Sequence, residues 1–126
     1  MHPHIHAKKN PNKPALIMAS SGKITTYKEL DERSNQIAHL FRQKGLKIGD
    51  GISIFMENNS RFLEICWAAQ RSGLYFTPIS SKLTASEVKY IHDDCNSKFF
   101  ISSKYLKNVA NETYKLIKNT EHHYMV

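Results

Sequence analysis

Ile48-Gly49-Asp50-Gly51-Ile52-Ser53-Ile54-Phe55-Met56, then Ser60-Arg61-Phe62-Leu63-Glu64-Ile65-Cys66-Trp67-Ala68-Ala69, then Gly73-Leu74-Tyr75-Phe76-Thr77-Pro78, is the stretch that decides the fold. The run from Ile52 to Met56 is almost continuously apolar. Such runs suit strands of a parallel sheet covered on both faces. Ile48-Gly49-Asp50-Gly51 reads as the tight connection leading into it. Ser60 is a candidate N-cap, and the helix after it is apolar almost all round, which predicts deep burial. Gly73 stops that helix, Leu74–Thr77 forms the next strand, and Pro78 marks its end.

Working toward the N-terminus, Thr26 and Glu29 have the spacing of a capping box. Tyr27, Leu30, Ile37, Ala38 and Phe41 then recur on one helical face, and Gly45 ends the helix. Before it, Ala15–Met18 and Ile24–Thr25 flank the turn Ser20-Ser21-Gly22-Lys23, which predicts a β-hairpin. Residues 1–13 are polar and read as an irregular arm, with the domain occupying 14–126. Toward the C-terminus, Thr84 and Glu87 form a second capping box, with Leu83 and Val88 at staple spacing. Tyr90 and Ile91 continue that helix to a stop at Asn96. Lys98–Ser102 is another buried-type strand. Val109, Tyr114, Leu116 and Ile117 mark a less regular helix, and His123–Val126 begins one more strand. A hairpin followed by strict alternation of helix and strand predicts an α/β fold. Its sheet is mainly parallel, with helices on both faces in three layers.

The chain has 126 residues, 40% apolar and 23% charged, which suits a single globular domain. No run approaches the roughly 20 apolar residues of a spanning helix, and no signal peptide is visible, so the expected location is cytoplasmic. The net charge is +7. The lysines are dispersed rather than gathered on one element, which argues against a nucleic-acid partner. Cys66 and Cys95 lie outside any CxxC pattern and are expected to be free thiols, Cys66 within the core.

Several chemically suggestive groups have plainer readings. His2, His4 and His6, with His122 and His123, lack a preorganised geometry for metal and read as solvated. His92-Asp93-Asp94-Cys95 reads as a solvated helix end, because successive helical residues point in different directions. Ser20-Ser21-Gly22-Lys23 joins two strands and is not a phosphate loop.

The order of local motifs carries more. Ile24-Thr25-Thr26-Tyr27-Lys28-Glu29-Leu30 resembles the first core motif of adenylate-forming enzymes. Ala69-Gln70-Arg71-Ser72-Gly73-Leu74-Tyr75-Phe76-Thr77-Pro78-Ile79 resembles the second. Asn35–Phe41, Gly45–Asp50, Met56–Glu64, Leu83–Glu87, Tyr90–Cys95 and the lead-in Pro11-Asn12-Lys13-Pro14-Ala15 match the intervening family pattern in order. The sequence therefore resembles the N-terminal part of an acyl-CoA synthetase, fatty-acyl-CoA ligase-like, of the AMP-binding superfamily.

That resemblance implies a fold, the family's N-terminal subdomain, and a reaction. A carboxylic acid is activated by ATP with magnesium, pyrophosphate leaves, and the acyl group passes to CoA. It also implies that the family's phosphate loop, ribose-binding aspartate, magnesium-binding glutamate and C-terminal lysine lie beyond the pattern matched here. The expectation is a fragment inactive by itself, with no catalytic and no metal residue. Candidate cofactor-binding residues are Ser80, with Ser81 beside it, and Lys104 and Lys107. All follow strand carboxyl ends, where open α/β sheets bind ligands. The competing expectation is a non-catalytic module kept for binding or self-association, and either form is expected to self-associate through an exposed apolar face.

Overall fold

The computed structural model describes residues 2–118, 120 and 122–126. Its elements are α1 (Pro3–Lys9), β1 (Pro14–Ile17), β2 (Ile24–Thr26), α2 (Tyr27–Gln43), β3 (Gly51–Phe55), α3 (Ser60–Arg71), β4 (Tyr75–Ile79), α4 (Ala85–Asp94), β5 (Ser97–Ser102), a 3-10 turn (Lys104–Leu106), α5 (Lys107–Leu116) and β6 (His122–Met125). β1 and β2 form the expected antiparallel hairpin. The other four strands make one sheet in the order β4-β3-β5-β6, every pair parallel. Helices cover both faces, as the alternation requires.

Helix ends follow local chemistry. At α2 the Thr26 hydroxyl accepts from the Glu29 amide at 3.2 Å, and Glu29 Oε2 accepts from the Thr26 amide at 2.9 Å. α2 closes in a Schellman arrangement, with Gly45 N–H on Arg42 O and Leu46 N–H on Phe41 O. Gly45 has φ +80°, which an L side chain adopts only with strain. α3 closes the same way through Gly73 and Leu74. Its start lies one residue before the expected cap. Asn59 caps it, accepting from Arg61 N–H at 2.7 Å, and Ser60 is the first helical residue.

Strand alternation splits the core into two layers. Ile52, Ile54, Phe99 and Ile101 pack against Ala38 and Phe41 of α2 and Ile65, Ala68 and Ala69 of α3. Phe41 and Phe99 meet edge to face at 5.5 Å, a favoured aromatic geometry. Phe55 and Phe100 pack instead on Val88 of α4 and Ala110 of α5. Cys66 is buried among the first set, and burial pushes its thiol up to about 11. Both cysteines are free, and Cys95 is exposed.

Four expectations need correction. Residues 3–9 are helical, not irregular: His2 caps α1 by accepting from the His4 amide, and Pro3 occupies the first turn, where its missing N–H costs nothing. The N-terminal histidines are not a solvated arm. His2 meets Trp67 edge to face at 5.2 Å, His4 lies 3.4 Å from the Asp31 carboxylate, and His6 packs on Tyr27. His92 is not solvated either. It is 1% exposed, because it sits one helical turn after the buried Val88 and shares its face.

Pro78, finally, lies inside β4 rather than ending it. Tyr75 N–H bonds Asp50 O at 2.9 Å, so residues 75, 77 and 79 turn their backbone groups toward β3. Pro78 therefore turns its N–H-less nitrogen to the open edge, the position where a strand tolerates proline.

Candidate functional site

The chain runs from β3 to β4 on one side, then crosses to β5 on the other side of β3. The segment after β3 leads to α3 on one face, and the segment after β5 leads to α5 on the opposite face. The carboxyl ends of β3 and β5 are thus the topological switch point, the usual ligand crevice of an open α/β sheet.

Glu57 and Ser103 meet there. The Ser103 hydroxyl donates to Glu57 Oε2, Asn59 Nδ2 donates to Glu57 Oε1 at 3.1 Å, and Ser103 N–H bonds Phe55 O at 3.2 Å. Burial alone would raise the Glu57 carboxyl. The hydrogen bonds from Ser103 and Asn59 outweigh it and hold the group below the usual carboxylate range. Glu57 is therefore an anion at neutral pH, and a weak base. Among the described residues the Ser103 hydroxyl meets the Glu57 carboxylate and no imidazole, so the pair is not an activated nucleophile.

A cavity of about 340 Å³ opens beside this pair, lined by Glu57 and Asn58 on one side and Pro78, Ser80 and Ser81 on the other, over Met56 and Phe62. A second, more apolar cavity of about 520 Å³ shares Asn58 and Phe62 with it and runs toward Leu16, Ile17 and Met18 of the hairpin. Of the candidates named from sequence, Ser80 and Ser81 line the first cavity. Lys104 and Lys107 line neither: they stand exposed on the 3-10 turn and at the start of α5. Glu57, Asn59 and Ser103 escaped the sequence reading. The available signal was their position immediately after two buried-type strands.

The lining does not fit a nucleotide triphosphate. Its one charged group is negative, and no lysine or arginine faces the first cavity, so a phosphate there would meet repulsion without a counter-charge. Among the described residues no three His, Cys, Asp or Glu side chains gather as a metal site. The cavity suits hydroxyl, amine or amide donors toward Glu57 and apolar groups toward Phe62.

Residues 4–124 match the AMP-binding enzyme family. The chain belongs to that family. It is 32% identical over 93 residues to the fatty acid–[acyl-carrier-protein] ligase of Streptomyces coeruleorubidus, spanning 74% of this chain and 18% of that relative. It is 30% identical over 97 residues to the 3-oxocholest-4-en-26-oate–CoA ligase of Rhodococcus rhodochrous, spanning 76% of this chain and 18% of that one. The chain thus spans under a fifth of the length of these relatives. A fatty acyl CoA synthetase structure from Mycobacterium tuberculosis superposes with a TM-score of 0.84 at 21% identity, over 98% of this chain and 25% of that one. This likeness places the four-stranded sheet and the hairpin in the N-terminal region of an adenylate-forming fold. Among the described residues, no helix is long and apolar enough to cross a membrane.

Proposed function

We propose that these residues are the N-terminal part of an ATP-dependent acyl-CoA ligase, which joins a carboxylic acid to CoA and releases AMP and pyrophosphate, and that alone they do not catalyse it. The family match and the acyl ligases among its relatives support the reaction class. The single observation behind the second half is the switch-point crevice, anionic at Glu57 and without a facing cation. Adenylation builds negative charge at the transferring phosphorus, and the described lining of this crevice holds no lysine or arginine to stabilise it. ATP, magnesium and CoA would be held by other parts of a longer enzyme, with residues 1–13 and 14–126 as arm and partial AMP-binding domain. A cytoplasmic location completes the reading.

The test is ATP–pyrophosphate exchange with a panel of fatty acids. No exchange above background is expected from the 126-residue chain, and any fatty-acid-dependent exchange would overturn the claim.

A second reading, a self-associating module, draws on Tyr75 and Phe76, which stand 73% and 39% exposed on the edge strand β4. Under it the chain forms oligomers through the apolar side chains of this edge strand. Light scattering across micromolar concentrations is expected to show a mass above 14.5 kDa, and a constant monomer mass would remove this reading.

A further inference from the structure

We propose that His92 and His123 form a clasp, released by acid, that holds Thr120 and β6 on the sheet. His92 is on α4 and bridges two elements. Its Nδ1 meets the Ser53 hydroxyl of β3, and its Nε2 meets Thr120 Oγ1, just before β6. Thr120 spends its own proton on Ser97 O at 3.3 Å. Its oxygen must then accept from an Nε2–H, which leaves Nδ1 to accept from Ser53. Only the neutral imidazole satisfies this chain of donors and acceptors. His123 lies in β6 itself. Its Nε2 is 2.8 Å from Ser102 Oγ, and its ring lies 5.0 Å from both the Phe100 and Tyr114 rings.

Among the described residues no carboxylate stands against either ring. Around His92 the partners are Ser53 from β3, Ser97 O and the Phe100 ring from β5, and Thr120. On α4 itself Asp93 is exposed and paired with Lys89 at 2.5 Å, so it attracts a proton on His92 only from a distance. Around His123 the partners are Ser102 and Phe100 of β5 and Tyr114 of α5. Burial pushes both imidazoles below their usual range, and for His92 the pull of Asp93 and of the Ser97 backbone does not overcome it. A proton on His92 is an uncompensated buried charge, and one on half-buried His123 is only partly solvated.

The part that gives way is the terminal segment. α4 is fixed by Val88 and Ile91 in the core, whereas β6 has four residues and a ladder on one side only. Its release also breaks the bonds from Val126 N–H to Ser102 O and from Lys104 N–H to Val126 O. The edge of β5 is then open. Acid thus exchanges the β6 edge for the β5 edge, reversibly.

Amide hydrogen exchange by NMR on the full 126-residue chain tests this at pH 7.5 and 5.0, with rates corrected for intrinsic chemistry. Protection of the β6 amides is expected to fall at least tenfold relative to β3 amides, in step with the imidazole resonances of His92 and His123. His123→Phe keeps the stack on Phe100 and is expected to halve the acid effect. If that variant does not fold, the wild-type imidazole titration still decides. Equal loss of protection in β3 and β6, or protonation of both imidazoles with β6 protection intact, would overturn the clasp.

Discussion

On the face covered by α2 and α3, the sheet presents Ile52, Ile54, Phe99 and Ile101. Glu64 there is fully buried, yet it holds Arg33 at 3.0 Å and Arg61 at 3.1 Å, and Asp31 binds Arg71 at 2.5 Å. On the face covered by α4 and α5, the sheet presents Ser53 and Ser102 beside Phe55 and Phe100, and the polar groups lie inside the layer with His92 and His123. One sheet therefore has a dry face locked by ion pairs and a face knitted by neutral hydrogen bonds. The first is sensitive to lost volume. The second is sensitive to protons.

The largest test of that contrast is Phe99→Ala. It removes a fully buried ring from the dry face and is expected to cost about 3–5 kcal/mol, read from the urea midpoint. A cost near 1 kcal/mol would mean that this face is not tightly packed. Glu64→Ala strips two arginines of their partner. Both arginines reach solvent, so the expected cost is lower, about 2 kcal/mol. Ser53→Ala, on the other face, leaves His92 Nδ1 without a donor and is expected to cost about 1–2 kcal/mol.

Acid should separate the faces directly. A histidine whose folded value is depressed stabilises fully above its unfolded value of about 6.5, and that contribution is lost as pH falls from there toward the folded value. A depressed carboxyl behaves at lower pH. Burial would raise Asp31, but the hydrogen bonds from Arg71 and His4 outweigh it, so its contribution holds above about 3.9 and is lost as pH falls through its lower folded value. Two acid steps are expected in urea midpoints measured from pH 8 to 3. The double variant His92→Gln with His123→Phe should shrink the upper step and leave the lower one, the remainder of the upper step coming from His2, which burial and Arg71 also depress.

The smallest expected effect concerns the two helix-stop glycines. Gly45→Ala meets open space, and its cost, about 1 kcal/mol, is the strain of a positive φ. At Gly73 a new Cβ would come within 3.0 Å of Ile48 Cγ1. Ile48 is 87% exposed and free to turn away, so Gly73→Ala should cost within a few tenths of the same amount.

What was legible in the sequence was local. Thr26 with Glu29, and Gly45 and Gly73 past helix ends, carry their signal within a few residues, because caps and stops are made by near neighbours. The apolar strand runs declared a covered parallel sheet for the same reason. What escaped depends on distant partners. Glu64 drew no reading of its own, and only the fold brings Arg33 to it. His92 was read beside Asp93 and Asp94 rather than beside Val88, although a turn earlier on the same face was the better guide. The switch-point pair of Glu57 and Ser103 is 46 residues apart. No local pattern announces it; strand order does.

Pro78 has a consequence for what this chain does in a crowded solution. The outward side of β4 lacks one backbone donor, while β6 carries no proline and offers an unblocked edge. Fibre growth needs each added copy to present a fresh template. A second copy that docks through its own β6 covers both good edges at once, and what remains on each side is the proline-bearing strand. Any further copy would have to pair with that less favourable edge. A single imino acid makes the two edges of one sheet unequal templates.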